Sequence, residues 1–268
     1  MVRSKFVGVA FVSLIALGCR QKEAPKDLAP AASALEAPMP TSPNGVSLTV
    51  QSAKSSLNFL MDSPLEKIDG DAPDSASGEL SIDLDDLTKS AALIKVDLEK
   101  LVLYQQRRAD EAKDYAERKK NEKQNEHARD WLQIVPHEGE VTAEQAAMNR
   151  IAEFRIDKIE TPTPNVRSLS GAERKVNATV SGDFRLHGRK ARQSANVELT
   201  FRFEGDKLAS LDVKTTSPMP VNLEQYEVNP RDGAGKFVKT ISDAVSGSLK
   251  GKLQKEAPVM IAFSAKPK

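Results

Sequence analysis

The feature that most constrains this chain is a strict two-residue alternation running from Lys175 to Glu204. Val176, Ala178, Val180, Gly182, Phe184 and Leu186 alternate with polar residues. So do Ala195, Val197, Leu199, Phe201 and Phe203. Period two puts one face of each strand in an apolar interior and the other in water. Gly188-Arg189-Lys190 lies between the two runs, and glycine readily takes the positive φ of a hairpin turn. An isolated hairpin cannot bury its own apolar face, so this pair predicts a larger antiparallel sheet.

The start of the chain is of another kind. Arg3 and Lys5 precede an apolar run from Phe6 to Leu17. That run is shorter than the roughly 20 residues needed to span a bilayer and has the form of a secretory signal, residues 1–18. It ends at Leu17-Gly18-Cys19, and Cys19 is the only cysteine in 268 residues. The sequence resembles the lipobox of bacterial lipoproteins, with Ala16 where leucine is usual. The resemblance implies that Cys19 becomes the lipidated first residue, carrying acyl chains such as palmitate and anchoring the protein to a membrane. A single cysteine cannot form an internal disulfide, which fits modification. The implied location is the bacterial cell envelope, facing the periplasm. Arg20, in place of the aspartate that retains many lipoproteins at the inner membrane, points to the outer one. Residues 19–45 then form a tether. Arg20 to Asn44 is rich in Ala and Pro, has few bulky apolar residues, and is expected to be disordered.

Residues 46–268 are read as one all-β domain, since about 220 residues fit a single barrel or sandwich. Short alternating strands are expected at Val46–Val50, Ala53–Met61 and Gly78–Leu84. A fourth runs from Ala92 to Leu98 and continues past a bulge at Lys100 to Leu103. Asp62 to Asp74, with Pro64, Gly70 and Pro73, reads as loop. Gln105 to Asp130 is dense in Lys, Arg, Glu and Asp and reads as an inserted charged helix, either solvated or a lid whose Trp131 and Leu132 tuck under the domain edge. A short helix is expected at Ala143–Arg150, strands at Ile151–Ile159 and Lys207–Thr216, a helix within Lys236–Leu253, and a last strand through Val259, Ile261, Phe263 and Ala265. About eight amphipathic strands in sequence order close most simply into an antiparallel β-barrel. Such a barrel has room for packed side chains or one elongated ligand, and the residues alone leave both open.

Several segments are similar to the YceI-like polyisoprenoid-binding family of lipocalin-like periplasmic barrels. They are Ser55-Ser56-Leu57-Asn58-Phe59, Gly78-Glu79-Leu80-Ser81-Ile82-Asp83-Leu84, Asn125-Glu126-His127-Ala128-Arg129, and Val180-Ser181-Gly182-Asp183-Phe184-Arg185-Leu186-His187-Gly188. The likeness lies in their order more than in any one motif. It implies a hydrophobic channel for a long isoprenoid, of prenyl quinone or prenyl phenol type, with no cofactor besides that ligand. The channel candidates are Phe59, Phe154, Phe184, Phe201 and Phe263, with Gly182 and other small inward residues supplying volume. His127 is either a head-group contact at the mouth or a surface histidine. His187 with Arg185, Arg189, Lys190 and Arg192 makes a basic hairpin tip, either a contact for anionic head groups or a solvated turn.

The remaining function classes find little support. A net charge of +1 gives no bulk attraction to nucleic acid. No zinc-type Cys/His spacing, glycine-rich phosphate loop or nucleophile elbow is present, and His127, His137, Glu138 and Glu140 lack a helical histidine pair. The expectation is therefore a non-enzymatic lipid-binding protein, with a filled, purely structural barrel as the alternative.

Overall fold

The computed structural model describes residues 28–37, 42–62, 64–228 and 256–268. The signal, Cys19 and the helix expected within Lys236–Leu253 lie outside them. The strands are β1 (Val46–Asp62), β2 (Glu66–Pro73), β3 (Ala76–Ile82), β4 (Ala91–Asp97), β5 (Val102–Arg107), β6 (Lys119–Lys120), β7 (Ile151–Glu160), β8 (Glu173–Leu186), β9 (Arg189–Glu204), β10 (Lys207–Thr215), β11 (Met219–Asn222) and β12 (Glu256–Pro267). Two helices, α1 (Glu122–Trp131) and α2 (Ala143–Asn149), precede β7.

Eight strands close a barrel. Hydrogen-bonded neighbours run β1, β3, β4, β7, β8, β9, β10, β12 and back to β1, every pair antiparallel. Closure removes the exposed sheet edges that invite aggregation. The expected alternation is kept: Val176, Ala178, Val180 and Gly182 are buried while Lys175 and Asn177 are exposed. The two expected strands at Val46–Val50 and Ala53–Met61 are one strand, β1, bent by a register shift between Gln51 and Ser55.

The two ends of the barrel differ. At one end, near the β9–β10 turn at Gly205, Leu48, Val166, Phe201, Leu211 and Ala265 are fully buried and fill the interior. At the other, near the β8–β9 turn, β1 and β12 outrun the barrel. There β1 pairs with β2, which pairs with β5 and then β6, while β12 pairs with β11.

Three local expectations are corrected. The hairpin turn is His187-Gly188, with Leu186 paired to Arg189 and φ of 51° and 68°. Two successive positive φ values are the signature of a type I′ turn, whose twist matches the strands. The expected loop at Asp62–Asp74 contains β2, because that segment bonds on both edges, to β1 and to β5. Gly70 there sits against the Phe59 ring, and a Cβ would lie 2.4 Å from it. The Lys100 bulge is instead a 3₁₀ turn at Leu98–Lys100 that takes the chain out of the barrel into β5.

The charged segment is not a helix from Gln105. Helix begins only at Glu122, where the Asn121 side chain caps it by accepting from the Gln124 N–H. Upstream, Arg118 lies over the Tyr104 ring at 3.5 Å and donates from Nε to Asp69 at 2.7 Å. These contacts hold the chain flat on β2 and outweigh the weak helical propensity of an isolated charged stretch.

The Ala/Pro-rich segment is not wholly unstructured either. Residues 28–37 cross the outer face of the β8–β9 hairpin. Ala32 N–H donates to the Gly188 carbonyl at 2.8 Å, Lys190 N–H to Pro30 at 2.9 Å, and Ala29 N–H to Gln225 at 3.0 Å. Ala29 and Leu35 are buried beneath. A low hydrophobic content kept this stretch from predicting structure, but two apolar pegs and a pre-formed hairpin edge suffice to dock it.

Candidate binding cavity

Inward side chains of the barrel strands enclose a cavity next to the filled end. The room open to the centre of a water-sized sphere is about 180 Å³; all space between atoms, open solvent at the mouth included, totals about 1380 Å³. Its floor includes Leu211, and its walls include Ile94, Val180, Val197, Phe154 and Phe184. Toward the mouth it is bordered by Phe59, Leu101, Leu132, Val259 and Leu223. Inward residues there, such as Leu57, Phe59, Val259 and Ile261, are only half-buried because they face empty space rather than one another.

Volume arises where small residues face the interior. Ala91, Ala92, Ala152, Ala195 and Ala257 all line the cavity. Phe154 and Phe184, directly opposite on β7 and β8, meet edge-on with ring centroids 6.2 Å apart, and Phe184 meets Tyr226 edge-on at 5.5 Å. Such edge-to-face contacts fix ring orientation, so this wall is firm.

The lining has almost no polar chemistry. Among the described residues, Glu153 and Thr215 are the only lining residues with side-chain oxygen or nitrogen. Neither oxygen set is free. Thr215 Oγ1 accepts from the Ile261 N–H at 3.1 Å, filling a gap in the ladder. The Glu153 carboxylate accepts from the Leu35 N–H at 2.8 Å and pairs with Arg185 at 3.2 Å and Lys95 at 3.3 Å, all on the outer face. The chamber can therefore solvate apolar chains, and among the described residues its lining carries no unengaged side-chain oxygen or nitrogen.

The sequence-derived site residues divide. Phe59, Phe154, Phe184, Phe263 and Leu132 line the cavity. Trp131 is half-buried against the core beside Leu132, at the end of α1. Phe201 points inward but belongs to the plug at the filled end and does not line the cavity. Gly182 does not supply cavity volume: a Cβ there would lie 1.8 Å from the Arg155 carbonyl oxygen, where β7 shifts register against β8. Glycine is needed for strand approach at that bulge. His127 is half-buried against Trp131, with ring centroids 5.9 Å apart, and does not line the cavity. His137 pairs with Asp130 at 3.2 Å on the surface.

The basic hairpin tip is consumed by partners. Arg185 is buried against Glu153, Arg189 donates to the Ala29 carbonyl and pairs with Glu227, Lys190 pairs with Asp183, and Arg192 pairs with Asp157. His187 Nδ1 donates to the Tyr226 carbonyl at 2.9 Å, while Nε2 is buried with no partner among the described residues. Burial pushes the His187 imidazole below its ordinary pKa, and burial likewise raises the Tyr226 phenol. This tip is a packing joint rather than an anion site. The Glu153–Arg185 pair and the docked strap had no signature in the sequence, because Arg185 falls on the face that alternation assigns to water.

An antiparallel eight-stranded barrel with an apolar interior defines the lipocalin-like fold. More particularly, the chain belongs to the YceI-like domain family, whose model matches residues 48–252. Among solved structures, a polyisoprenoid binding domain from Saccharophagus degradans implicated in plant cell wall breakdown is similar over 83% of this chain and 99% of its own. It shares 15% identity, with a TM-score of 0.49. Burkholderia cenocepacia BcnA is similar over 82% and 99%, at 16% identity and a TM-score of 0.44. A search of curated protein sequences finds no match.

Proposed function

We propose that this protein takes the tail of a long isoprenoid lipid, of prenyl quinone or prenyl phenol type, into the barrel, and carries or stores it at an envelope membrane to which Cys19 anchors it. The observation that carries this reading is the lining of the cavity: aliphatic and phenyl side chains on every barrel strand, with the far end filled by buried residues. Membership of the YceI-like family points to the same ligand class.

The energetics fit carriage. Moving one five-carbon unit out of water gains roughly 3–4 kcal/mol at about 0.8 kcal/mol per methylene. Eight such units would exceed the practical ceiling of about 20 kcal/mol for non-covalent affinity. The relevant reference is therefore lipid, where transfer into an apolar barrel is close to neutral and so reversible. Branched chains suit walls of alternating phenyl rings and alanine gaps, because methyl branches fill the gaps. Among the described lining residues, Glu153 is engaged on the outer face and Thr215 in the ladder, so neither opposes an apolar tail.

The test is equilibrium transfer. Vesicles loaded with a prenyl quinone are mixed with the protein and separated by flotation. Quinone recovered with vesicle-free protein, saturating near one per chain, supports the reading. Protein that recovers none while remaining folded refutes it.

A further inference from the structure

The strap of residues 28–37 changes where the N-terminus leaves the barrel. Val46, where the barrel begins, pairs with Ile82 at the filled end, and Ser42 just before it is buried there. From that end the chain reappears beside Glu153 on β7, bonding through Leu35 N–H. It then runs along the hairpin, with Ala31 bridged to Arg189, passes the His187-Gly188 turn, and reaches Gln225 through Ala29. Leu28 thus emerges at the end of the barrel that holds the cavity mouth. The strap has carried the chain from the closed end to the open one.

Chain length makes this consequential. Cys19 and Leu28 are nine residues apart, a span of at most about 30 Å. Without the strap, 27 residues would separate Cys19 from Val46, at most about 90 Å, and they would leave from the closed end. A span of that length could exceed the barrel itself and would impose no orientation.

The mouth end is also where apolar surface is left uncovered. Among the described residues, the large hydrophobics that remain exposed are Leu60 at 45%, Val135 at 37% and Met148 at 41%. All three sit there: Leu60 on the overhang of β1, Val135 just after α1, and Met148 on α2 before β7. Scattered apolar residues need no partner, but three exposed at the same end of the barrel offer points of contact to a lipid interface.

We propose that the strap fixes the barrel with its mouth against the bilayer, so that Leu60, Val135 and Met148 meet the lipid surface and the β9–β10 end faces away. This rests on the reading of Cys19 as the anchor point. The experiment is built so that the two fail separately. Residues 19–268 are coupled through Cys19, the only thiol, to a maleimide phospholipid in vesicles of phosphatidylethanolamine and phosphatidylglycerol. Chemical coupling tests orientation whether or not cells acylate Cys19, and mass spectrometry of the natural protein tests acylation separately. Amide hydrogen exchange is compared between anchored and free protein. The expected result is exchange slowed about tenfold around residues 60, 135 and 148, with Val166–Ser168 and Gly205 unchanged. In Leu35→Asp, which places a carboxylate beside Glu153 and frees the strap, that contrast disappears. Equal protection at both ends of the parent protein overturns the proposal, as does protection at the closed end alone or a Leu35→Asp variant that keeps the contrast. The parent comparison stands even if the variant does not fold.

Discussion

Glu153 and Arg185 form an ion pair 3.2 Å apart with 2% and 1% of their side chains exposed, on the outside of a barrel. The strap makes that burial. Arg185 also donates to the carbonyls of Ile151 and Met148, each at 3.2 Å, so it ties β8 to the start of β7 and the end of α2.

Removing Arg185 takes from Glu153 its buried partner and leaves it the half-exposed Lys95 and the Leu35 N–H. Arg185→Met is expected to cost at most about 3–5 kcal/mol, the loss for a buried charge left wholly unpaired. The double variant Arg185→Met with Glu153→Gln should recover part of that loss. Urea unfolding of the parent, the two single variants and the double variant checks it, and additive losses would contradict the account.

Gly182 separates a structural role from a binding one. Gly182→Ala drives a methyl group toward the Arg155 carbonyl oxygen, 1.8 Å from an ideal Cβ, and backbone cannot step aside as a side chain can. A loss of about 1–3 kcal/mol is expected, as for overpacking elsewhere. Lipid uptake per folded molecule should stay the same. A selective loss of uptake at unchanged stability would return Gly182 to the site.

His187 supplies a pH dependence. Its folded pKa lies below the ordinary 6.5 because burial penalises the imidazolium. As pH falls, the unfolded chain therefore takes up this proton first. The stability that the neutral ring contributes is complete above about pH 6.5 and is lost as pH drops through that value toward the folded pKa. His187→Asn keeps a residue suited to positive φ before Gly188 and removes the titration. The unfolding free energy of the parent should fall between pH 7.5 and 5, and the variant's slope should be smaller. Asp157, held low by the Arg192 guanidinium, acts only below its ordinary 3.8 and does not blur this window.

Much of the barrel was legible because a two-residue period states directly which face is dry. That is why Phe59, Phe154, Phe184 and Phe263 were found on the cavity wall. Alternation does not state height along the barrel axis. Phe201 obeys the same pattern, yet it lies at the filled end. Gly182 sits in the right phase, but its reason is a neighbouring carbonyl that only the register of β7 reveals. The strap escaped because its partners, Gly188, Lys190 and Glu153, are more than 100 residues away, and its own composition carries only two apolar pegs. The charged stretch misled because Arg118 finds Asp69 and Tyr104 across strands, contacts that local helical spacing cannot show.

Filling the cavity should uncouple binding from folding. Ala195 lines the wall opposite Val180. Ala195→Phe places a ring toward existing empty space, so the stability loss should fall below the roughly 1–3 kcal/mol of overpacking a filled core. Uptake of prenyl quinone should fall at least about tenfold, a loss of about 1.4 kcal/mol or more. Thermal melting and the vesicle transfer assay read the two quantities side by side. Equal uptake by the variant would mean that the tail does not occupy this part of the barrel.

The most direct measurement is native mass spectrometry of residues 28–268, which retain the strap, purified gently from a bacterial host. The account predicts a mass increment close to one lipid per chain, extractable as a prenyl compound and absent from Ala195→Phe. A bare chain that takes up no added prenyl quinone would contradict the central claim and leave a barrel whose cavity serves some other purpose.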